Sequence, residues 1–295
     1  MARAKRAQQG YSVREVVPPA LEQSKQRVFM HKELREIFQK TQPLFRRSWN
    51  GTLSDFVEHL VEEKILRETA VEMPDGKRVT RYLVDEASMY EVALSLKGGS
   101  YLSHYSALFL HGLTDNIPKV VYTNLELPKT RQAAPQKLQQ EAIDRAFANN
   151  MRHSNQIATC GEIKIYLLNS KNVDKIGVKD LPWNGVSLAV TEIERTLIDI
   201  AVRPDYAGGV QEVLQAYQTA KDKVSVNRLA ALLQKIDYTY PYQQAIGFYL
   251  ERSGYSDAAV KLLRKKEFEY DFYLTYKMVH PEYSEKWRLF YPKGF

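Results

Sequence analysis

Residues 50–84 constrain the fold of this chain more tightly than any other stretch. The turn pair Asn50-Gly51 precedes Thr52, and Asp55 three positions on completes a capping-box pattern for a helix start. Leu53, Phe56, Val57 and Leu60 then recur at i, i+3, i+4 and i+7, which gives that helix one apolar face. Arg67 to Met73 and Arg78 to Val84 follow as two strand-like runs around Pro74-Asp75-Gly76-Lys77, whose glycine can take the positive φ of a tight turn. An earlier helix is expected over His31 to Lys40, from the spacing of Leu34, Ile37 and Phe38, with Pro43 breaking it. Two helices and then a basic hairpin is the order of a winged helix-turn-helix, which we assign to residues 25–97.

Charge points the same way. The chain of 295 residues carries a formal net charge of +7, and its first 84 residues hold 16 Lys and Arg against 11 Asp and Glu. A surplus concentrated beside a helix-turn-helix suggests a polyanionic partner, double-stranded DNA. Residues 1–24 mix Gln, Arg, Glu and the pair Pro18-Pro19 with scattered apolar residues, so a flexible basic arm is expected there. Its basic start runs into Gln8, Gln9 and Gly10, so no signal peptide is expected; no apolar stretch approaches the roughly 18 residues of a membrane span, and Cys160 is the only cysteine. A reducing cytoplasmic location follows as the expectation.

The DNA contacts expected from this arrangement are divided among three places. Thr52 and Ser54 lie at the positive end of the second helix, Lys40, Arg46 and Arg47 precede it, and Lys77, Arg78 and Arg81 put cations on the wing. The body of the helix is acidic, with Asp55, Glu58, Glu62 and Glu63, so direct base readout from its middle is not expected. That acidic face leaves a second interpretation open, in which the winged helix holds a protein partner.

Residues 98–295 read as a larger mixed α/β domain with a small sheet and a helical C-terminal part. Lys97-Gly98-Gly99-Ser100 ends a helix from Val84 to Leu96, and Ser103 is placed as the N-cap of a buried helix that reaches Leu110. Short strands are expected at Val120 to Tyr122, Glu162 to Leu168 and Val186 to Val190. Thr191 and Glu194 suggest a capping box for a helix over Glu192 to Val202. Helical patterns dominate from Val210 to Lys266, before aromatic, strand-like sequence at Phe268 to Tyr276 and Trp287 to Tyr291.

Two segments of this domain carry a resemblance. Ser103, His104, Ser106, Ala107, Leu108, His111, Gly112 and Leu113 in the first, and Thr191, Glu194, Arg195, Leu197 and Asp199 in the second, resemble the AbiEi family of antitoxins from type IV toxin-antitoxin systems. Weaker similarity runs through Ala207 to Gly209, Ile246 to Glu251 and Tyr291-Pro292, so the likeness spans roughly residues 28 to 295. It implies a transcriptional autorepressor that binds its own promoter. It also implies an antitoxin domain counteracting a nucleotidyltransferase-like toxin encoded nearby, in phage defence. A related regulator without a toxin, or a non-enzymatic sensor or interaction protein of a defence locus, is the alternative.

No catalytic constellation emerges. His104 and His111 lie seven apart, without further metal ligands nearby, so both are expected to be structural. Asp199 follows Arg195 by four positions, the spacing of an intrahelical ion pair. Gly98-Gly99-Ser100 lacks the spacing of a phosphate loop. The expectation is a binding protein without enzymatic activity, metal or cofactor.

Overall fold

In the computed structural model, residues 11–45, 49, 51–84, 87–128, 137–264 and 267–295 are described. The chain divides into two compact units: residues 1–98 with 158–162 and 182–186 form the first, and residues 99–157, 163–181 and 187–295 the second. Helices and sheets are mixed throughout, as the α+β class requires. Among the described residues no helix is long and apolar enough to cross a membrane.

The first unit runs α1 (Val13–Gln23), β1 (Val28–Phe29), α2 (His31–Phe45), α3 (Leu53–Glu62), β2 (Arg67–Glu72), β3 (Arg78–Leu83) and α4 (Met89–Leu96). β2 and β3 pair antiparallel from Arg67↔Leu83 to Glu72↔Arg78, and β1 lies antiparallel on the far side of β3. The core joins one stripe from each of three helices: Val17 and Leu21, Leu34 and Ile37, and Phe56 and Leu60. Phe56 is its centre, with ring centroids 4.9 Å from Phe38, 6.1 Å from Phe45 and 6.1 Å from Trp49. Each such pair adds about 0.5–1.5 kcal/mol beyond burial. Arg27, ahead of β1, grips the Glu91 carboxylate of α4 at 3.1 and 3.4 Å, fastening the last helix to the unit.

Two expectations are corrected here. The flexible arm over residues 1–24 is helical from Val13 to Gln23, while residues 1–10 lie outside the described residues. Ser12 and Glu15 form a capping box, and Val13, Val17 and Leu21, four apart, bury one stripe. Pro18 and Pro19 remove the amide partners of the Arg14 and Glu15 carbonyls, but both residues are exposed, so water replaces the bonds. Pro43 likewise does not end α2, which continues to Phe45. The residue one turn back, Gln39, faces solvent, and the burial of Phe45 favours the extra turn.

The second unit contains β4 (Tyr101–Leu102), α5 (His104–Leu110), β5 (Val120–Glu126) and α6 (Gln140–Phe147). Next come β6 (Ile157–Cys160), most of which belongs to the first unit and meets β2 at Glu72↔Thr159, and β7 (Ile163–Ser170). β8 (Val178–Trp183), β9 (Val186–Thr191) and α7 (Ile193–Val202) follow. The chain then passes a short 3-10 turn at Pro204–Ala207 into α8 (Val210–Thr219), α9 (Val226–Ile236), α10 (Gln243–Arg252) and α11 (Asp257–Lys261). It closes with β10 (Phe272–Tyr273), β11 (Glu282–Ser284) and β12 (Leu289–Tyr291).

The sheet of this unit is larger than the small one expected, because the strand order β7-β5-β4-β9-β8 includes two elements without apolar alternation. β4 is only two residues long, and β8 carries Lys179, Asp180 and Pro182. β5 and β7 run parallel through seven pairs, from Val120↔Lys164 to Glu126↔Ser170. The strand-like C-terminal sequence forms a separate three-stranded sheet of much shorter strands than expected, ordered β10-β12-β11. Trp287, ahead of β12, is fully buried against α10. Gly247 makes this possible, since a Cβ there would lie 2.2 Å from the indole.

α7 is the axis of the second unit. Every residue from Glu194 to Ala201 is buried, with Leu197, Ile198, Ile200 and Ala201 in the main hydrophobic core. A helix buried on all sides must pair each polar group it carries, because an unpaired buried charge is costly. That requirement shapes the site.

Candidate functional site

In the first unit, the residues expected to meet DNA separate into three groups. Thr52 is the N-cap of α3, accepting from the Asp55 amide at 3.3 Å, while Asp55 accepts from the Thr52 amide at 2.6 Å and its hydroxyl at 2.8 Å. Those bonds, the hydroxyl's first, hold the Asp55 carboxyl below its usual range, so this acid serves the cap. Ser54 and Lys40 are exposed. Lys77 and Arg78 are exposed at the hairpin tip, where Lys77 Nζ pairs with Asp75 at 2.7 Å. Glu63 is tied to Arg14 of α1, leaving Glu58 and Glu62 as the exposed acids of α3 beyond the cap residue Asp55.

Arg46 and Arg47 lie outside the described residues. Arg81 is corrected: it is not a wing cation. With 7% of its surface exposed, it donates to Ser95 Oγ at 2.8 Å, the Ser95 carbonyl at 3.1 Å and the Thr80 carbonyl at 2.8 Å. The strand period of two puts it on the buried side with Leu83, and burial lowers its pKa.

In the second unit, the two family-like segments meet. His111, just past α5, bonds through Nε2 to the carbonyl oxygen of Thr191 at the end of β9, 2.6 Å away. A carbonyl only accepts, so the proton sits on Nε2, and burial keeps the ring's pKa low. Thr191 Oγ1 lies 2.8 Å from Thr196 Oγ1, and Thr196 also donates to the Thr191 carbonyl at 3.0 Å.

The capping box expected from Thr191 and Glu194 does not form. Thr191 is still in the strand, Glu192 is the N-cap, and buried Glu194 accepts the Ser225 amide at 2.9 Å, at the start of α9. Arg195 and Asp199 are paired at 2.8 Å and are almost wholly buried. Burial works against the charge on Arg195, but the Asp199 carboxylate outweighs it and holds the guanidinium's pKa above its ordinary value. Arg195 also donates to the Ile176 carbonyl at 2.8 Å, and Gly177 lets this loop close in, with a hypothetical Cβ 2.8 Å from that of Arg195.

Ser103 is the N-cap of α5, but its hydroxyl bonds sideways to His104 Nδ1 at 2.9 Å. His104 begins the helix with a φ of 50°, a conformation uncommon outside glycine. Burial presses its pKa down to about 4, so it is neutral at physiological pH. Its ring stands edge-on to Tyr206 at 5.5 Å.

Sequence patterns passed over three contributors to this centre. Glu192 is clamped by Arg228 at 2.8 and 2.7 Å and by Lys179 at 2.9 Å. Tyr238 donates to Asp199 at 3.4 Å. Glu212 gathers Tyr105, Thr114 and Asn116 across more than ninety residues of sequence. All three partnerships are long-range, so no local motif marks them. Chemically, the centre is a set of mutually satisfied pairs that hold α5, β9, α7 and α9 together. Among the described residues, no group of three or more His, Cys, Asp and Glu could hold a metal ion.

Together the two units define a mixed α/β protein with a polar pairing centre in its larger unit. No family model and no curated protein matches the sequence. Among solved structures, the fold is similar to that of the RV2827C protein from Mycobacterium tuberculosis. The TM-score is 0.57 at 15% identity, covering 94% of this chain and 90% of that one. At such identity the likeness is one of fold alone.

Proposed function

We propose that this chain is a DNA-binding transcriptional autorepressor and an antitoxin that counteracts a nucleotidyltransferase-like toxin in phage defence. The observation that carries the DNA-binding half is the order α1-β1-α2-α3-β2-β3 with β1 paired to β3, which supports reading the first unit as a winged helix-turn-helix. In this reading α3 is the recognition helix and the β2-β3 turn the wing. Thr52, Ser54, Lys40, Lys77 and Arg78 then supply phosphate contacts. The antitoxin half rests on the AbiEi-like segments, and their union through His111 and Thr191 is consistent with one functional element. The protein acts by binding, in the cytoplasm, without catalysis or cofactor.

Gel-shift titration with DNA from upstream of the gene tests the repressor half. Salt-sensitive binding that weakens in Lys40→Ala and Lys77→Ala is expected, and no binding at low salt refutes it. Co-expression with the neighbouring gene product tests the antitoxin half, where failure to relieve its growth defect refutes that claim. A second reading, an interaction protein whose winged helix holds a protein partner, draws on exposed Glu58 and Glu62 on α3. Co-purification with a neighbour and no DNA affinity would favour it.

A further inference from the structure

A cavity of about 580 Å³ opens in the second unit, between the C-terminal end of α7, the loop after β7 and the segment from Tyr238 to Tyr242. Its size falls within the roughly 300–1,000 Å³ of small-molecule sites. Three features give it chemical character. Arg152, Lys171 and Arg203 line it, and none of the three has a carboxylate partner among the described residues. Among the described residues the Arg203 guanidinium donates to the Arg152 carbonyl alone, at 2.9 Å. The fourth cation of the lining, Arg195, is neutralised by Asp199. The lining therefore carries a surplus of positive charge: among the described residues Arg152, Lys171 and Arg203 form no ion pair, and the one carboxylate beside them, Asp205, pairs with His153 of the same wall at 3.4 Å.

Aromatic rings form much of the wall. Tyr206, Tyr238, Tyr240, Tyr242 and Tyr276 all line it, offering flat apolar faces and hydroxyl groups together. His104, nine-tenths buried, is also in the wall, and its only hydrogen bond among the described residues runs through Nδ1. Its Nε2 is left for a ligand. A neighbouring cavity of about 830 Å³ shares Tyr238, Tyr240 and Tyr242, but among the described residues it is lined by Asp237, Glu267 and Glu269 and by no Lys or Arg. The contrast assigns the anion preference to the first cavity. Cations that grip phosphate oxygens beside rings that stack on a base are the complement of a nucleotide.

We propose that this cavity binds a nucleoside phosphate, its phosphates held by Arg152, Lys171 and Arg203 and its base laid against the tyrosines of residues 238–242. Binding here is independent of how the first unit contacts DNA.

Isothermal titration of the full chain with ATP, GTP, CTP and UTP in turn tests it, with inorganic triphosphate and adenosine as controls. At least one nucleotide is expected to bind saturably at one site, about tenfold or more tighter than triphosphate alone. The exposed pair Arg152→Gln and Lys171→Gln together should weaken that nucleotide about tenfold or more without changing the melting temperature. Lys77→Ala, in the first unit, should leave it unchanged. Three results overturn the proposal: no saturable binding of any nucleotide up to about 1 mM, equal affinity for triphosphate, or full affinity in the double variant. Loss of binding in Lys77→Ala alone would place the nucleotide on the DNA-binding unit and overturn it as well.

Discussion

His111 Nε2 donates to the Thr191 carbonyl at 2.6 Å, a single bond that ties the end of α5 to the junction of β9 and α7. Thr191 is fully buried, and its carbonyl also accepts from the Thr196 hydroxyl at 3.0 Å. Replacing His111 by Ala should cost about 1–3 kcal/mol, the penalty of a buried acceptor losing a partner. His111→Gln, which restores an N–H donor, should recover part of it. Urea denaturation of both variants measures this, and an Ala variant as stable as the wild type refutes the role.

His104 makes stability depend on pH. Its folded pKa of about 4 lies below the 6.5 of a free imidazole, so between those values the unfolded chain binds a proton that the folded chain does not. The contribution is fully present above pH about 6.5 and is lost as pH falls towards 4, by up to about 3 kcal/mol. His111, also lowered by burial, adds with the same sign. His104→Asn, which tolerates the positive φ, should flatten the stability profile across this window. An unchanged slope would show that His104 does not cause it.

Gly247 faces the indole of Trp287. Alanine is the better helix former by about 1 kcal/mol, yet its methyl would meet ring atoms at 2.2 Å. The overlap wins. Gly247→Ala should destabilise the chain by about 1–3 kcal/mol or more, with a changed near-ultraviolet circular dichroism signal from the displaced tryptophan. Trp287 also donates to Glu251, and its carbonyl accepts from Gln244 at 2.8 Å, so its shift would disturb both partners. An alanine variant at least as stable as the wild type contradicts this packing.

Arg78 and Arg81 sit on one strand, three positions apart, but on opposite sides. Arg78→Ala should leave stability within about 0.5 kcal/mol and, if the first unit binds DNA as proposed, reduce the salt dependence of that binding by about one phosphate contact. Arg81→Ala should instead lower stability by about 1–3 kcal/mol, because the Ser95 and Thr80 carbonyls lose a buried donor. Thermal melts and salt titrations of the two variants separate the roles. The reverse pattern would return Arg81 to the exposed side of the hairpin.

How far the sequence reached follows from the range of each interaction. α3 and the β2-β3 turn were legible because Thr52 and Asp55, the apolar spacing from Leu53 to Leu60, and Gly76 act within a few residues of one another. Arg81 was legible too, had the strand period been weighed with its charge, since it alternates with Leu83. α1 was obscured by Pro18-Pro19, whose cost is offset only because Val17 and Leu21 reach a core built by α2 and α3. Thr191 and Glu194 carry the local signature of a capping box, yet Glu194 turns to Ser225, thirty-one residues on.

Local chemistry in the sequence thus determined the capped helix, the basic hairpin and the Arg195-Asp199 pair, because each depends on spacings of two to four residues that helix and strand geometry fix in advance. Only the tertiary structure decided which charges are buried and which are free. It turned Glu194 to Ser225, paired Glu192 with Arg228, and gathered Arg152, Lys171 and Arg203 around one cavity. Burial sets the cost of a charge, and burial is a property of the packed chain that no window of sequence contains.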